Sequence, residues 1–233
     1  MLDDLGIEKP LDTAQISQAV QGLFSPSASV AVLDPRRDHG GLMGGEVELM
    51  ANANPKRQRE FTAGRVASRV AMVAMGAPIS PILSGRDRAP VWPEGVVGSI
   101  SHCDECCVAV LGQAVDVAML GVDVEPYQPL EEYMFAEICT LRELNWLNAQ
   151  EAGLRGYLAK LIFSAKEAAY KCQYPLTGRI IGFGAIEIDL DLLTGRFSAE
   201  FTRKVAPFQS GDRMVGRFAV LNGLILSGMA LGM

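Results

Sequence analysis

The stretch Leu120-Gly121-Val122-Asp123-Val124-Glu125-Pro126 alternates apolar and acidic residues and stops at a proline, the pattern of a short strand. Strand side chains repeat every second residue, so Asp123 and Glu125 leave the same face. Further on, Phe163-Ser164-Ala165-Lys166-Glu167-Ala168-Ala169-Tyr170-Lys171 reads as a helix, with Glu167 and Lys171 one turn apart on a shared face. Brought together, the two faces offer three carboxylates, Asp123, Glu125 and Glu167, with a cation beside them. Hard oxygen ligands of that kind suit Mg2+, which keeps waters and takes its remaining ligands from substrate phosphates. Letters alone do not separate Mg2+ from Mn2+. On spacing alone, the same residues also describe a solvated edge strand and an ordinary helix ion pair.

Outward from this core, Thr13 to Phe24 carries Ile16, Val20 and Leu23 at helical spacing, and Ala28 to Leu33 reads as a strand stopped by Asp34-Pro35. A glycine-rich loop, Asp38 to Gly45, precedes a long helix that starts near Pro55 and ends at Gly76-Ala77-Pro78. Val96–Ser101 and Cys106–Leu111 read as paired strands, and Gly112–Asp116 as a junction. Helices are expected over Leu130–Ile138, Thr140–Gln150 and Arg155–Cys172. Strands are expected over Ala185–Leu190, Arg196–Phe201, Gly216–Leu221 and Leu224–Leu231, the last two joined by the hairpin signal Asn222-Gly223. Each half holds a long helix and a small strand set without βαβ alternation, which predicts an α+β fold with antiparallel sheets. No internal repeat is visible in the letters.

A chain of 233 residues with 49% hydrophobic and 21% charged residues has ample material for a core. No apolar run is long enough to cross a bilayer, Leu224–Met233 included, and the start Met1-Leu2-Asp3-Asp4 is acidic where a signal peptide is basic. A cytoplasmic location is the expectation. The five cysteines suggest a reduced chain, and His102-Cys103-Asp104-Glu105-Cys106-Cys107 lacks the second ligand pair that a zinc site needs. A net charge of −6 argues against nucleic acid as partner. Yet Lys56, Arg57, Arg59, Arg65 and Arg69 crowd the start of the long helix against Glu60 alone, which suits a small anionic ligand. Arg57, Phe61 and Arg65 fall four apart in one stripe. Such a stripe presents guanidinium forks to phosphate, or it simply flanks a buried face in water.

Five stretches in order resemble the 4′-phosphopantetheinyl transferase superfamily, specifically its larger single-chain members that serve siderophore, peptide and polyketide synthases. They are Lys56-Arg57 through Phe61 to Gly64-Arg65; Arg86-Asp87-Arg88-Ala89-Pro90-Val91-Trp92-Pro93; Gly98-Ser99-Ile100-Ser101-His102; Gly121-Val122-Asp123-Val124-Glu125; and Phe163 to Lys171. The resemblance implies two similar α/β subdomains related by pseudo-twofold symmetry, residues 1–115 and 116–233, with the active site in the cleft between them. It implies transfer of the 4′-phosphopantetheine arm of coenzyme A to a serine of an acyl or peptidyl carrier protein, releasing adenosine 3′,5′-bisphosphate. Arg57 and Arg65 are then contacts for the 3′-phosphate, and Arg86 and Arg88 lie near the adenine and its phosphates, with Ser84 standing where some members carry lysine. Ser101 and His102 bind phosphate, and Asp123, Glu125 and Glu167 hold the metal. Lys166 and Lys171 supply fixed positive charge, and Glu167 is the general base.

The carrier partner is expected to be acidic and the enzyme a monomer. The segment Tyr127 to Leu147, with Met134, Phe135, Ile138, Leu144 and Trp146, is either docking surface or core. Two other functions use the same letters. A magnesium-dependent nucleotide or coenzyme A phosphohydrolase would activate water with these acids, and a catalytically silent coenzyme-A-binding subunit would not need them.

Overall fold

The computed structural model describes residues 11–232, so Met1–Asp4 and the terminal Met233 lie outside the described residues. The first half contains α1 (Thr13–Gln21), β1 (Ser29–Leu33), α2 (Glu46–Met50), α3 (Pro55–Ala74), β2 (Leu83–Ser84), β3 (Pro90–Val91), β4 (Val96–His102) and β5 (Cys107–Gln113). The second contains β6 (Met119–Pro126), α4 (Phe135–Ile138), α5 (Leu141–Asn148), α6 (Ala152–Thr177), β7 (Ile186–Asp191), β8 (Arg196–Phe201), β9 (Arg213–Leu221) and β10 (Leu224–Leu231). The strands form an antiparallel sheet β1-β5-β4, an antiparallel sheet β6-β10-β9-β8-β7, and the small pair β2-β3. The fold is α+β, as expected.

Local chemistry sets the main boundaries. Asn54 caps α3 by accepting the Arg57 N–H at 2.8 Å, and Pro55 occupies the first turn, where its missing N–H costs nothing. Thr140 and Glu143 form a reciprocal capping box on α5. Asn222 and Gly223 both take positive φ, 51° and 77°, which matches the twist of the β9–β10 hairpin. Two expectations are corrected. The helix expected over Leu130–Ile138 is a 3-10 turn at Glu132–Met134 followed by the single turn of α4. The helix expected over Arg155–Cys172 extends at both ends, to Ala152 and Thr177, and carries Pro175 in its last turn.

Helix α3 covers one face of the three-stranded sheet through Ala67, Ala71 and Met72, and α6 covers one face of the five-stranded sheet through Ile162, Ala165 and Ala169. On the opposite side, α1 buries Ile16 and Val20 with Val108 and Val110 of β5 and Val122 and Val124 of β6. That cluster runs beneath both sheets.

The seam between the sheets is made by side chains. Ser99 and Ser101 on β4 accept the backbone N–H groups of Val122 and Val124 on β6 at 3.0 and 3.3 Å, replacing a strand ladder with two hydroxyls. Gly121 allows α6 to press onto β6: a Cβ there would stand 2.0 Å from the carbonyl oxygen of Ala168. That close approach brings Asp123 and Glu125 under α6. Among the described residues no helix is long and apolar enough to cross a membrane.

Candidate active site

Asp123 is the centre of the site. It is 2% exposed, and its Oδ1 accepts from Ser101 Oγ at 2.9 Å and from Lys171 Nζ at 2.7 Å. Lys171 also donates to Ser101 Oγ at 2.9 Å, closing a triangle that joins β4, β6 and α6. The second carboxylate oxygen, Oδ2, is buried without a hydrogen-bond partner among the described residues. A buried anion oxygen left unpaired is costly unless something else binds it.

Two further acids are coupled to Asp123 through their charge. Burial, and after it the neighbouring Asp123 charge, pushes the Glu125 carboxyl above its ordinary range, against the pull of Lys160, which contacts Glu125 Oε2 directly. Burial likewise pushes Glu167 up; Lys171 opposes it, and Asp123 and Glu125 add to it. The three expected acids therefore feel one another's charge. Among the described residues, however, no three acidic, histidine or cysteine side chains form a ready-made ligand cage. The donor set fits an ion that uses one or two carboxylates and draws its other ligands from water and phosphate, which is the habit of Mg2+.

Lys171 stands beside the acids, as the shared helix face implies. It is bonded to Asp123 across the interface rather than paired with Glu167 on its own helix. His102 ends β4, with Nε2 3.3 Å from Arg57 Nη1 and Nδ1 3.9 Å from Glu60. Burial first, then Arg57 and Lys171, lower the His102 pKa while Glu60 opposes them, which favours the neutral ring. Arg57, about half exposed, has Nη1 3.9 Å from Glu60 and turns the rest of its guanidinium to solvent beside that ring.

Other expected ligands are committed elsewhere. Arg65 is buried; it donates to Ile82 O at 2.7 Å and Ser84 Oγ at 2.9 Å, and lies over the Phe61 ring at 4.0 Å. Burial lowers its pKa to about 10. It anchors the chain leading into residues 85–89 rather than facing solvent, which corrects the picture of an open arginine stripe. Arg69, the next in the stripe, is buried on Glu46. Lys166 is corrected more sharply: its ammonium is 2.7 Å from Glu143, with Ile138 O at 2.8 Å and Phe183 O at 3.0 Å, and its side chain is sealed from solvent. Neighbouring positions on a helix point about 100° apart, so Glu167 lies within the charge reach of Asp123 and Glu125 while Lys166 turns to Glu143 in the core.

Arg86 and Arg88 are exposed, and Arg88 takes a left-handed φ of 68°. Asp87 between them accepts from the Tyr174 hydroxyl and holds its carboxyl below the usual range through that bond. The contact closes one end of a cleft of about 520 Å³ lined by Arg88, Trp92 and Ser99 from the first half and Tyr170, Lys171 and Ile180 from the second. Phe135 and Ile138 are core, and Met134, Leu144 and Trp146 pack against the same core. They are not an open docking face. Sequence reasoning missed Lys160 and Tyr174. Lys160 lies two turns before Glu167, a spacing that places it on the acidic face.

Comparison with known proteins places the chain in a family. Residues 45–112 match the 4′-phosphopantetheinyl transferase N-terminal domain, and residues 119–213 match the 4′-phosphopantetheinyl transferase superfamily. The chain is 38% identical to the 4′-phosphopantetheinyl transferase Svp of Streptomyces mobaraensis, over 80% of this chain and 77% of that protein. It is 33% identical to the 4′-phosphopantetheinyl transferase Npt of Nocardia iowensis, over 79% of this chain and 87% of that one. It is also 32% identical to enterobactin synthase component D of Salmonella typhi, over 72% and 74% of the two chains. With a family match on each half, the second spanning Asp123, Glu125 and Glu167, the chain belongs to the 4′-phosphopantetheinyl transferase superfamily.

Proposed function

We propose that the protein transfers the 4′-phosphopantetheine group of coenzyme A to a serine hydroxyl of an acyl or peptidyl carrier protein. One observation carries the reading beyond family membership: Asp123 keeps a buried, unpartnered Oδ2 within the charge reach of Glu125 and Glu167, while its Oδ1 is bonded to Lys171, which lines a cleft shared by both halves. In this reading residues 1–115 supply the coenzyme A side and residues 116–233 the acids and the catalytic helix.

Asp123 and Glu125, with Glu167, would hold Mg2+. When bound, the ion neutralises the diphosphate and favours departure of adenosine 3′,5′-bisphosphate. Arg57 and His102 face the coenzyme's phosphates, Arg57 as a charged fork and His102 as a neutral donor. Arg88 and Arg86 stand at the loop side of the cleft, with Arg65 positioning that loop through Ile82 and Ser84. Ser101 orients Asp123 and Lys171. Lys171 offers its ammonium to the charge that develops on the leaving phosphate. Glu167 accepts the proton of the attacking serine, and the burial that raises its pKa also makes it the stronger base.

The test is incubation with coenzyme A, Mg2+ and an apo-carrier protein, followed by intact mass spectrometry of the carrier. A mass gain of one phosphopantetheine supports the reading, and Asp123→Ala and Glu167→Ala should abolish it. Release of phosphate without modification of any carrier would overturn it.

A further inference from the structure

Two lysines of α6 touch the acidic cluster, and they reach it from opposite ends. Lys171 lies on Asp123 and Ser101, as described. Lys160 contacts Glu125 Oε2 and sits above the Phe163 ring, 5.1 Å from its centroid. The helix rises about 16 Å between these lysines, whereas Asp123 and Glu125 are about 7 Å apart along the strand. Their stems therefore lean inward, with Glu167 on the same face between them.

The charges can be counted. Three carboxylates against two ammonium groups leave one negative charge, half of what a free dication would need. An ion that arrives with phosphate oxygens brings the missing negative charge with it. Without Lys160, the cluster alone would match a dication. An ammonium seated on a ligand oxygen also competes with the ion for that lone pair and repels it. Seated there, it spares Glu125 from standing half-buried and unpaired beside Asp123.

We propose that Lys160 is a positioning residue that substitutes for the divalent ion: it holds Glu125 until metal and phosphate arrive together, then releases it. The free protein thereby binds the ion weakly, and the ion with coenzyme A tightly. This inference rests on the reading of Asp123, Glu125 and Glu167 as metal acids.

The experiment is a Mn2+ titration of the full chain at pH 8, followed by the electron paramagnetic resonance signal of the free hydrated ion, with and without coenzyme A. Lys160→Met should bind Mn2+ at least about tenfold more tightly than wild type without coenzyme, the size expected for one nearby charge in a half-buried site. Lys160→Arg should behave as wild type, and coenzyme A should improve Mn2+ affinity less in Lys160→Met than in wild type. Lys160→Gln, run in parallel, serves where the methionine variant does not fold and carries the same expectation. Unchanged or weaker Mn2+ binding in these neutral variants overturns the inference. The transfer assay on wild type reads the function separately. Transfer with Lys160-independent Mn2+ affinity sinks this inference alone, and Lys160-dependent affinity without transfer sinks the functional reading alone.

Discussion

Lys166 and Glu143 form an ion pair at 2.7 Å with both side chains sealed from solvent, 2% and 1% exposed. Glu143 also accepts the N–H groups of Thr140 and Ile188, so one acid joins the start of α5, the middle of α6 and strand β7. The first half repeats the arrangement. Arg69 donates to both oxygens of Glu46, and Glu46 accepts the N–H groups of Met43 and Ile82. The acid and its cation are 23 residues apart there, as are Glu143 and Lys166. In both places a buried carboxylate ties a long helix to the segment that follows it. Removing one partner strands the other as a buried charge, at a cost of about 3–5 kcal/mol. Lys166→Met and Glu143→Gln should each lose about that much stability in urea unfolding, and Lys166→Met/Glu143→Met should recover part of it. A loss under about 1 kcal/mol in both single variants would contradict this role.

These pairs also show where the letters stopped being informative. The acids of β6 were legible because a strand has a two-residue period and Pro126 ends it, so Asp123 and Glu125 share a face whatever packs above. The start of α3 was legible because Asn54 and Pro55 are local signals. The fate of Lys166, Arg65 and Arg69 was not local. Each depends on a partner far away in sequence, Glu143, Ile82 with Ser84, and Glu46, which no periodicity within the helix can reveal. The one available signal was the repeated acid-to-cation spacing in the two halves. Lys160 was readable from its helical face alone, although it lies outside the Phe163–Lys171 stretch that carries the family resemblance.

The functional reading requires Asp123 to act through charge, since its shape is shared by asparagine. Asp123→Asn keeps an oxygen for Ser101 and Lys171 but supplies no anion for a metal. Its kcat/KM for carrier modification should fall at least about a hundredfold, roughly 2.7 kcal/mol of transition-state stabilisation. Mn2+ binding followed by paramagnetic resonance should weaken in step. Retained metal binding with lost transfer would reassign Asp123 to orienting Lys171.

Tyr174 and Asp87 join the two halves at one end of the cleft, and nothing in their geometry touches the acids. Tyr174→Phe removes the hydroxyl and releases the 85–89 loop. Asp87→Asn weakens the same bond from the other side. Both should raise the KM for coenzyme A several-fold with kcat changed less than about twofold, the pattern of lost ground-state binding. A matching fall in kcat with unchanged KM would show that the bond serves the chemical step.

The cysteines give a prediction in pH. Burial pushes the Cys107, Cys139 and Cys172 thiols up to about 12 and Cys106 higher still, whereas Cys103 is raised but only half-buried. At pH 8 a thiol with a pKa near 12 is thiolate in roughly one molecule in ten thousand, and the thiolate is the reactive form. Ellman's reagent should therefore find at most Cys103 in the native protein at pH 8, and all five cysteines after denaturation. The same shifts fix a sign for stability. A thiol whose folded pKa lies above its unfolded value of about 8.5 stabilises the fold fully below that value. As pH rises from there towards the folded pKa, the unfolded chain releases protons that the folded chain keeps, and stability falls by up to about 1.4 kcal/mol per pH unit for each such thiol. Urea midpoints should drop between pH 9 and 11, and Cys172→Ala should drop less steeply than wild type while starting from a lower midpoint. A wild-type midpoint flat across that interval would mean that these thiols ionise as readily inside the fold as outside it.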